Sequence, residues 1–255
     1  MKWLTDNKWL EVSKGSGLFK EDGYPLLQDR LIFPIHNSRG IIVGFSGRII
    51  ADLQLAKYIN SPESPVFSKK KILYATHLAK SAIKKSQSVI IVEGYMDVIA
   101  MHKNGLQNVV GVMGTALTEG HAKELARYTD NITLLFDSDK AGQDAIVKSL
   151  TALLNNRLNI KIAQISEKDP AEFFEQNNND SMHHLIKNAP VYMDFFMNQY
   201  INQGVLNDPT QKSKAVTFLG ECLAKEKNKI IKDEYIKQIA ETFSVSLNIV
   251  QSYAL

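Results

Sequence analysis

Three acidic sites stand where strands should end. Glu93 closes Ser88-Val-Ile-Ile-Val-Glu-Gly-Tyr-Met-Asp97, Asp137 and Asp139 close Ile132-Thr-Leu-Leu-Phe-Asp-Ser-Asp, and Asp169 follows Ile160-Lys-Ile-Ala-Gln-Ile-Ser-Glu-Lys. Each follows a β-branched apolar run of strand length. In an open parallel sheet, ligands bind beyond the carboxyl ends of the strands, so three strands can aim carboxylates at one place. Crowded carboxylates call for a cation among them. A hard cation with open positions suits phosphate chemistry. Asp137 and Asp139, two apart on an extended segment, face the same way. Asp97 lies one helical turn after Glu93 and either joins the cluster or is a solvated first-turn acid. Asp139 has a second reading as a helix N-cap.

The elements that must hold these acids alternate. Strand 89–92 leads to a helix near 95–104, strand 108–112 to a helix near 118–128, strand 132–136 to a helix near 140–155, and strand 160–165 to a short helix near 170–176. Such alternation predicts a parallel sheet covered by helices. Before it lie turn residues such as Gly15, Gly17 and Gly23. Two strand-like runs then form a hairpin, 30–35 and 40–45, turning at Asn37-Ser-Arg-Gly40. Lys57 to Lys71 reads as irregular, because Pro62 and Pro65 interrupt it, and a helix follows over 73–85. After Asn177-Asn-Asn-Asp180 apolar residues recur at helical spacing. The expectation is an α/β protein in three parts: a basic α+β subdomain (1–86), a parallel-sheet subdomain (87–178) and a helical subdomain (179–255).

With 255 residues, 44% of them hydrophobic, the chain can bury a sizeable core. No apolar stretch reaches membrane-spanning length, and the start lacks a secretory apolar core. One cysteine, Cys222, excludes internal disulfides and cysteine-based zinc sites. It reads as buried, and His183-His184 as surface. Net charge is +3, unevenly spread. Residues 30–85 carry ten Lys or Arg against two acids, and residues 86–180 carry eight against thirteen. A basic block beside an acidic one suits a polyanion track leading to a metal site, or two solvated faces.

Glu-Gly at one strand end, with Asp-x-Asp two strands later, resembles the TOPRIM module shared by bacterial primases, topoisomerases and some nucleases. Further segments occur in order: Arg30-Leu-Ile-Phe-Pro-Ile, Gly44-Phe-Ser-Gly-Arg48, Lys57-Tyr-Ile-Asn-Ser-Pro-Glu-Ser-Pro-Val-Phe67, Glu93-Gly-Tyr-Met-Asp97, Gly114-Thr-Ala-Leu and Asp137-Ser-Asp-Lys-Ala-Gly-Gln-Asp-Ala145. Together they resemble the RNA polymerase core of a bacterial DnaG-type primase over roughly residues 18–180, and the helical tail fits in kind.

That resemblance implies a central TOPRIM sheet and primer synthesis by metal-dependent nucleotidyl transfer. Its substrates would be ribonucleoside triphosphates, on a single-stranded DNA template, giving an RNA–DNA hybrid. It implies Glu93, Asp137 and Asp139 as catalytic residues, with Glu93 either a metal ligand or a general acid/base. The same three, with Asp97 and Asp169, would hold magnesium or manganese. Asp169-Pro-Ala171-Glu172 departs from the family's Asp-Pro-Asp, and Glu172 is the residue placed to compensate. Arg30, Arg48, Lys57, Tyr58, Asn60, Lys69, Lys70 and Lys71 would serve template and nucleotide phosphates, with Tyr58 stacking on bases. Phe67 reads as core. Arg48, after a glycine, suits bidentate phosphate contact. Zinc belongs, by the same resemblance, to an amino-terminal module whose cysteines are missing here, and helicase docking to a carboxyl-terminal domain beyond this chain. The implied setting is the bacterial cytoplasm at the replication fork, as a monomeric core without membrane contact. Two rivals remain: another TOPRIM enzyme that cleaves DNA, and a single-strand-binding scaffold whose site has decayed at Ala171.

Overall fold

A computed structural model of the chain describes residues 6, 16–20, 23–50 and 56–255. Gly15 and the amino-terminal residues read above for a secretory signal lie outside the described residues.

Seven strands form two sheets among the described residues. The first is antiparallel, β1 (Arg30–His36), β2 (Ile42–Ile49) and β3 (Tyr58–Asn60), in that order. The strand β3 lies inside the segment read as irregular. It pairs Ser46 with Asn60 and Arg48 with Tyr58. Three residues are too short to show a period of two, and both prolines follow the strand, so the sequence gives it no signal.

The second sheet is wholly parallel, β4 (Val89–Val92), β5 (Val109–Gly111), β6 (Asn131–Leu135) and β7 (Asn159–Ala163), in the order β5-β4-β6-β7. Its strands are buried on both faces, which is why they read as continuous apolar runs. The chain leaves β4 toward one edge to make β5 and returns past it to make β6. The point where strand order reverses therefore lies between β4 and β6, where a ligand crevice opens in such sheets. Both edges are covered. Tyr74 exchanges two backbone hydrogen bonds with Gly111 beside β5, and Ile162 of β7 donates to Pro190 O at 3.0 Å. Covering unpaired edges blocks pairing with another chain.

Helix α1 (Thr76–Ser86) leads into the sheet, α2 (Tyr95–Lys103), α3 (Glu119–Leu125) and α4 (Lys140–Asn155) fill the crossovers, and α5 (Pro170–Gln176) follows the last strand. The predicted elements recur: strand 89–92 and helices 140–155 and 170–176 keep their bounds, and the other ends shift by up to four residues, the most at the end of β2. Beyond them lie α6 (Asn179–Lys187), α7 (Tyr192–Asn202), α8 (Pro209–Ala224), α9 (Lys229–Thr242) and α10 (Leu247–Tyr253). Asp208 caps α8 ahead of Pro209, a favoured start. One core runs from the sheet residues Ile91, Leu134 and Ile160 through Leu153 of α4 to Met193, Phe196 and Leu219 in the helical region. Cys222 is buried within it and its thiol is pushed up to about 12 by burial. No helix among the described residues is long and apolar enough to cross a membrane.

An aromatic cluster joins the antiparallel sheet to the parallel one. Tyr95, 3% exposed, stacks on Phe33 at 5.3 Å and meets Tyr58 and Tyr74 at 5.5 and 4.7 Å between ring centroids. Its hydroxyl donates to Asn60 Oδ1 at 2.7 Å, and Asn60 Nδ2 donates to Met113 O at 3.3 Å. Asn60 therefore pins β3 to the end of β5. Tyr95→Phe keeps the packing and strips Asn60 Oδ1 of its donor. The expected cost is about 1–2 kcal/mol in urea unfolding, with an unchanged m value.

Candidate active site

The acids meet at the reversal point. Glu93 is the first residue past β4, and its Oε1 accepts the Asp137 N–H at 2.9 Å, tying the ends of β4 and β6 together. Asp139 caps α4, accepting the Gly142 N–H at 2.8 Å. Its N-cap reading thus holds, and it still adds negative charge at Glu93 and Asp137. Asp169 caps α5, accepting the Glu172 N–H at 3.0 Å, with Pro170 starting the helix. Asp97 turns back toward the Gly94 N–H from the first turn of α2 and is half-buried rather than solvated.

Electrostatics ties these groups into one cluster. Burial pushes Glu93 up to about 7; the bonded Asp137 N–H opposes this, and the charges of Asp137, Asp139 and Asp97 add to it. Burial also lifts Asp97 to about 6, with Asp137 and Asp169 adding and Lys57 opposing. Asp137 is raised by burial and then by Asp139 and Asp169, while Lys168 and Lys57 hold it down. Asp137 thus couples to each of the other four acids predicted for the metal site.

The donor set is entirely carboxylate oxygen, which suits hard divalent cations. No three such groups among the described residues lie close enough for a closed cage. The arrangement is an open acidic shelf. It fits an ion bound through one or two carboxylates that keeps several waters, as magnesium does. A cavity of about 720 Å³ lies instead at the amino ends of the strands, beside Ser88, Asn131 and Asn159, away from the acids.

Glu172, the residue placed to compensate for Ala171, is held at the start of α5. Its Oε2 accepts the Lys168 N–H at 3.0 Å, so it closes the turn before α5. Lys168 went unnoticed in the sequence, where its place directly before Asp169 was the available signal.

The basic residues divide. Lys57 is exposed and faces Asp97 and Asp137 electrostatically. Lys70 and Lys71 are exposed, and Lys69 is half-buried. Arg48 lies over the Tyr58 ring, 5.8 Å from its centroid. Tyr58 in turn packs against Phe33 and Tyr95, so one ring serves as a shelf for Arg48 within the aromatic cluster. Arg30 turns inward: its Nη1 donates to Gly47 O at 3.1 Å and Ala56 O at 2.9 Å. Its side chain packs over Gly47, where an added Cβ would come within 2.9 Å of Arg30 Cδ. Phe67 is 1% exposed, in the core as read. His183 and His184 are exposed.

The raised acids fix a pH dependence. A carboxyl raised on folding stabilises the protein fully below its unfolded value, near 4.5, and this is lost as pH rises through the folded value. The cation-free protein should therefore melt at lower temperature at pH 8 than at pH 5. Glu93→Gln should flatten that difference, and magnesium should raise the melting temperature at pH 8 more than at pH 5. Thermal scans at both pH values, with and without magnesium, check this; equal shifts at the two pH values would contradict it.

The reversal point between β4 and β6, flanked by Glu93 and Asp137, defines a TOPRIM-type α/β protein. A Toprim-like family model matches residues 90–174. Models for the N-terminal domain of the DNA primase catalytic core and for the DnaB-helicase binding domain of primase match residues 5–80 and 193–248. The latter match falls inside the chain, on helices that the sequence reading kept apart from helicase docking. A DNA primase of Clostridium acetobutylicum is 37% identical over 220 residues, covering 86% of this chain and 36% of that protein. One of Staphylococcus aureus is 34% identical over 224 residues, covering 88% and 37%. The chain thus spans little more than a third of these relatives. A DNA primase domain from Pseudomonas aeruginosa superposes with a TM-score of 0.84 at 30% identity, covering 97% of this chain and 80% of that one. The Aquifex aeolicus primase zinc-binding and RNA polymerase domains give 0.83 at 26%, covering 98% and 62%. The chain belongs to the bacterial DnaG-type primase family and corresponds to its catalytic core.

Proposed function

We propose that this chain is a DNA-directed RNA polymerase that makes primers on single-stranded DNA. The observation that carries the reading is Glu93 bonded to the Asp137 N–H at 2.9 Å across the reversal point of the parallel sheet, with Asp97, Asp139 and Asp169 coupled to Asp137 around it. The reaction is nucleotidyl transfer: a 3′-hydroxyl attacks the α-phosphorus of a ribonucleoside triphosphate, a P–O bond forms, and pyrophosphate leaves. Magnesium or manganese, when bound, polarises the phosphate and neutralises charge on the leaving group.

The chain's own groups have distinct parts. Asp137 and Asp139 would hold the ion directly, Asp169 would reach it through retained water, and Asp97 would orient the shelf from one helical turn past Glu93. Glu93, lifted to about 7, is poised to take the proton of the attacking hydroxyl at neutral pH. Lys57, beside the acids, would meet triphosphate oxygens. Lys69, Lys70 and Lys71 would track template phosphates without reading bases. Arg30 would act indirectly, holding β2 to the chain entering β3. Contact with a replicative helicase through residues 193–248 belongs to this reading, as does division into the basic (1–86), TOPRIM (87–178) and helical (179–255) parts.

The test is template-dependent incorporation of ribonucleotides on single-stranded DNA with magnesium or manganese. Incorporation that follows the template composition is expected. Cleavage of the DNA with the same ions would assign a TOPRIM nuclease instead. Binding without cation-dependent turnover would leave a scaffold.

A further inference from the structure

The run Lys69-Lys70-Lys71 is held by its backbone, and the grip comes from the start of α3. His121 is 0% exposed, and its Nε2–H donates to Lys69 O at 2.7 Å. Its Nδ1 accepts the Thr118 N–H at 3.3 Å, so the two bonds fix one neutral tautomer. The Thr118 hydroxyl donates to Lys70 O. Gly120 lies against the same carbonyl: a Cβ there would overlap Lys70 O and come within 3.1 Å of Lys71 Cγ. From the other side, Glu63 Oε1 accepts the Lys69 N–H at 2.8 Å, and Ser68 O accepts the N–H groups of Lys71 and Ile72. Lys70 and Lys71 make no salt bridge among the described residues.

The grip is mounted on α4. Glu119 accepts from Asn155 and Asn156 at 2.9 and 2.8 Å, and the Leu117 N–H donates to Ser149 Oγ at 3.0 Å. Asp139 caps the other end of the same helix. Ser149 is ten residues on, roughly 15 Å along a helix axis. One rigid rod therefore sets the lysines relative to the acids.

We propose that Thr118, Gly120 and His121 form a backbone clamp that positions Lys69–Lys71 on single-stranded nucleic acid phosphates in register with the acidic shelf. These are positioning residues: none reaches the strand itself. A flexible lysine loop would lose conformational freedom on every phosphate contact, and a clamped one has lost most of it beforehand. The proposal rests on the reading above that the lysine run faces the template.

Binding of a single-stranded DNA oligonucleotide by the full chain, across a salt series, provides the test. Gly120→Ala and His121→Ala should each weaken binding roughly 10-fold at low salt and flatten the salt slope. Three lost phosphate contacts would lower that slope by about 2. His121→Gln places an amide N–H where Nε2–H was and should recover binding to within about 2-fold. Combined with Lys69→Ala, Lys70→Ala and Lys71→Ala, the clamp variants should add no further loss, because positioning absent lysines does nothing. Additive losses in that background would mark a merely structural role and overturn the proposal, as would wild-type binding by both Gly120→Ala and His121→Ala. Undiminished binding by the triple-lysine variant would overturn it while leaving the polymerase reading intact. A wild-type chain that neither binds the strand nor incorporates nucleotides would sink that reading, and the clamp with it.

Discussion

Asp137→Ala should abolish template-directed incorporation, by about 10³-fold or more, while single-strand binding stays within a few-fold of wild type. The carboxylate sits where β6 ends, at the point where strand order reverses, and faces both Asp139 and Asp169 electrostatically. Removing it takes away a ligand for an ion that stabilises charge in the transition state, an effect worth about 4 kcal/mol. The lysine track is untouched. Stability should move the other way. Asp137 is raised by burial and by neighbouring acids, so its charge opposes folding at neutral pH. The cation-free variant should melt at the same temperature or higher at pH 8. Loss of activity together with a lowered melting temperature would mean that the substitution unfolds the site, and the assignment of Asp137 as a ligand would fall.

Gly142→Ala should cost both activity and stability, against the usual trend. Alanine in place of glycine inside a helix normally stabilises by about 1 kcal/mol. Here the added Cβ would overlap Asp137 O and lie 2.8 Å from Glu93 Oε1 and 3.0 Å from Asp137 C. The first turn of α4 must then move away from the strand end, taking with it the Gly142 N–H bonded to Asp139. A displacement of this kind at reacting groups costs about 10²-fold in rate, and the strain about 1–3 kcal/mol. Steady-state incorporation beside urea unfolding checks both. A variant of wild-type activity with raised stability would show that α4 does not need this close approach.

Much of the site was legible because it depends on local order. Strand-end acids announce themselves by the apolar run before them, and Glu93, Asp137, Asp139 and Asp169 were each found that way. The parallel sheet followed from alternation of strand and helix. The fate of Glu172 was not legible, since a side chain four residues from a backbone N–H can close a turn or face a site with the same sequence. Nor was the fate of Arg30, whose partners at Gly47 and Ala56 lie 17 and 26 residues away. His121 looked like one of several scattered histidines, because its bond to Lys69 spans 52 residues.

The sequence by itself determined which residues carry charge, where the strands and helices other than β3 run and which family motifs they bear, because these rest on side-chain type and on periods of two and 3.6. Only the tertiary structure decided which charges meet. Strand order put β4 beside β6 and so joined Glu93 to Asp137. Packing turned Arg30 inward and left Lys57 facing the acids, and the start of α3 gripped the lysine run. Contacts between residues far apart in the chain depend on which elements become neighbours, and the order of strands in the sheet is not contained in the period of any one segment.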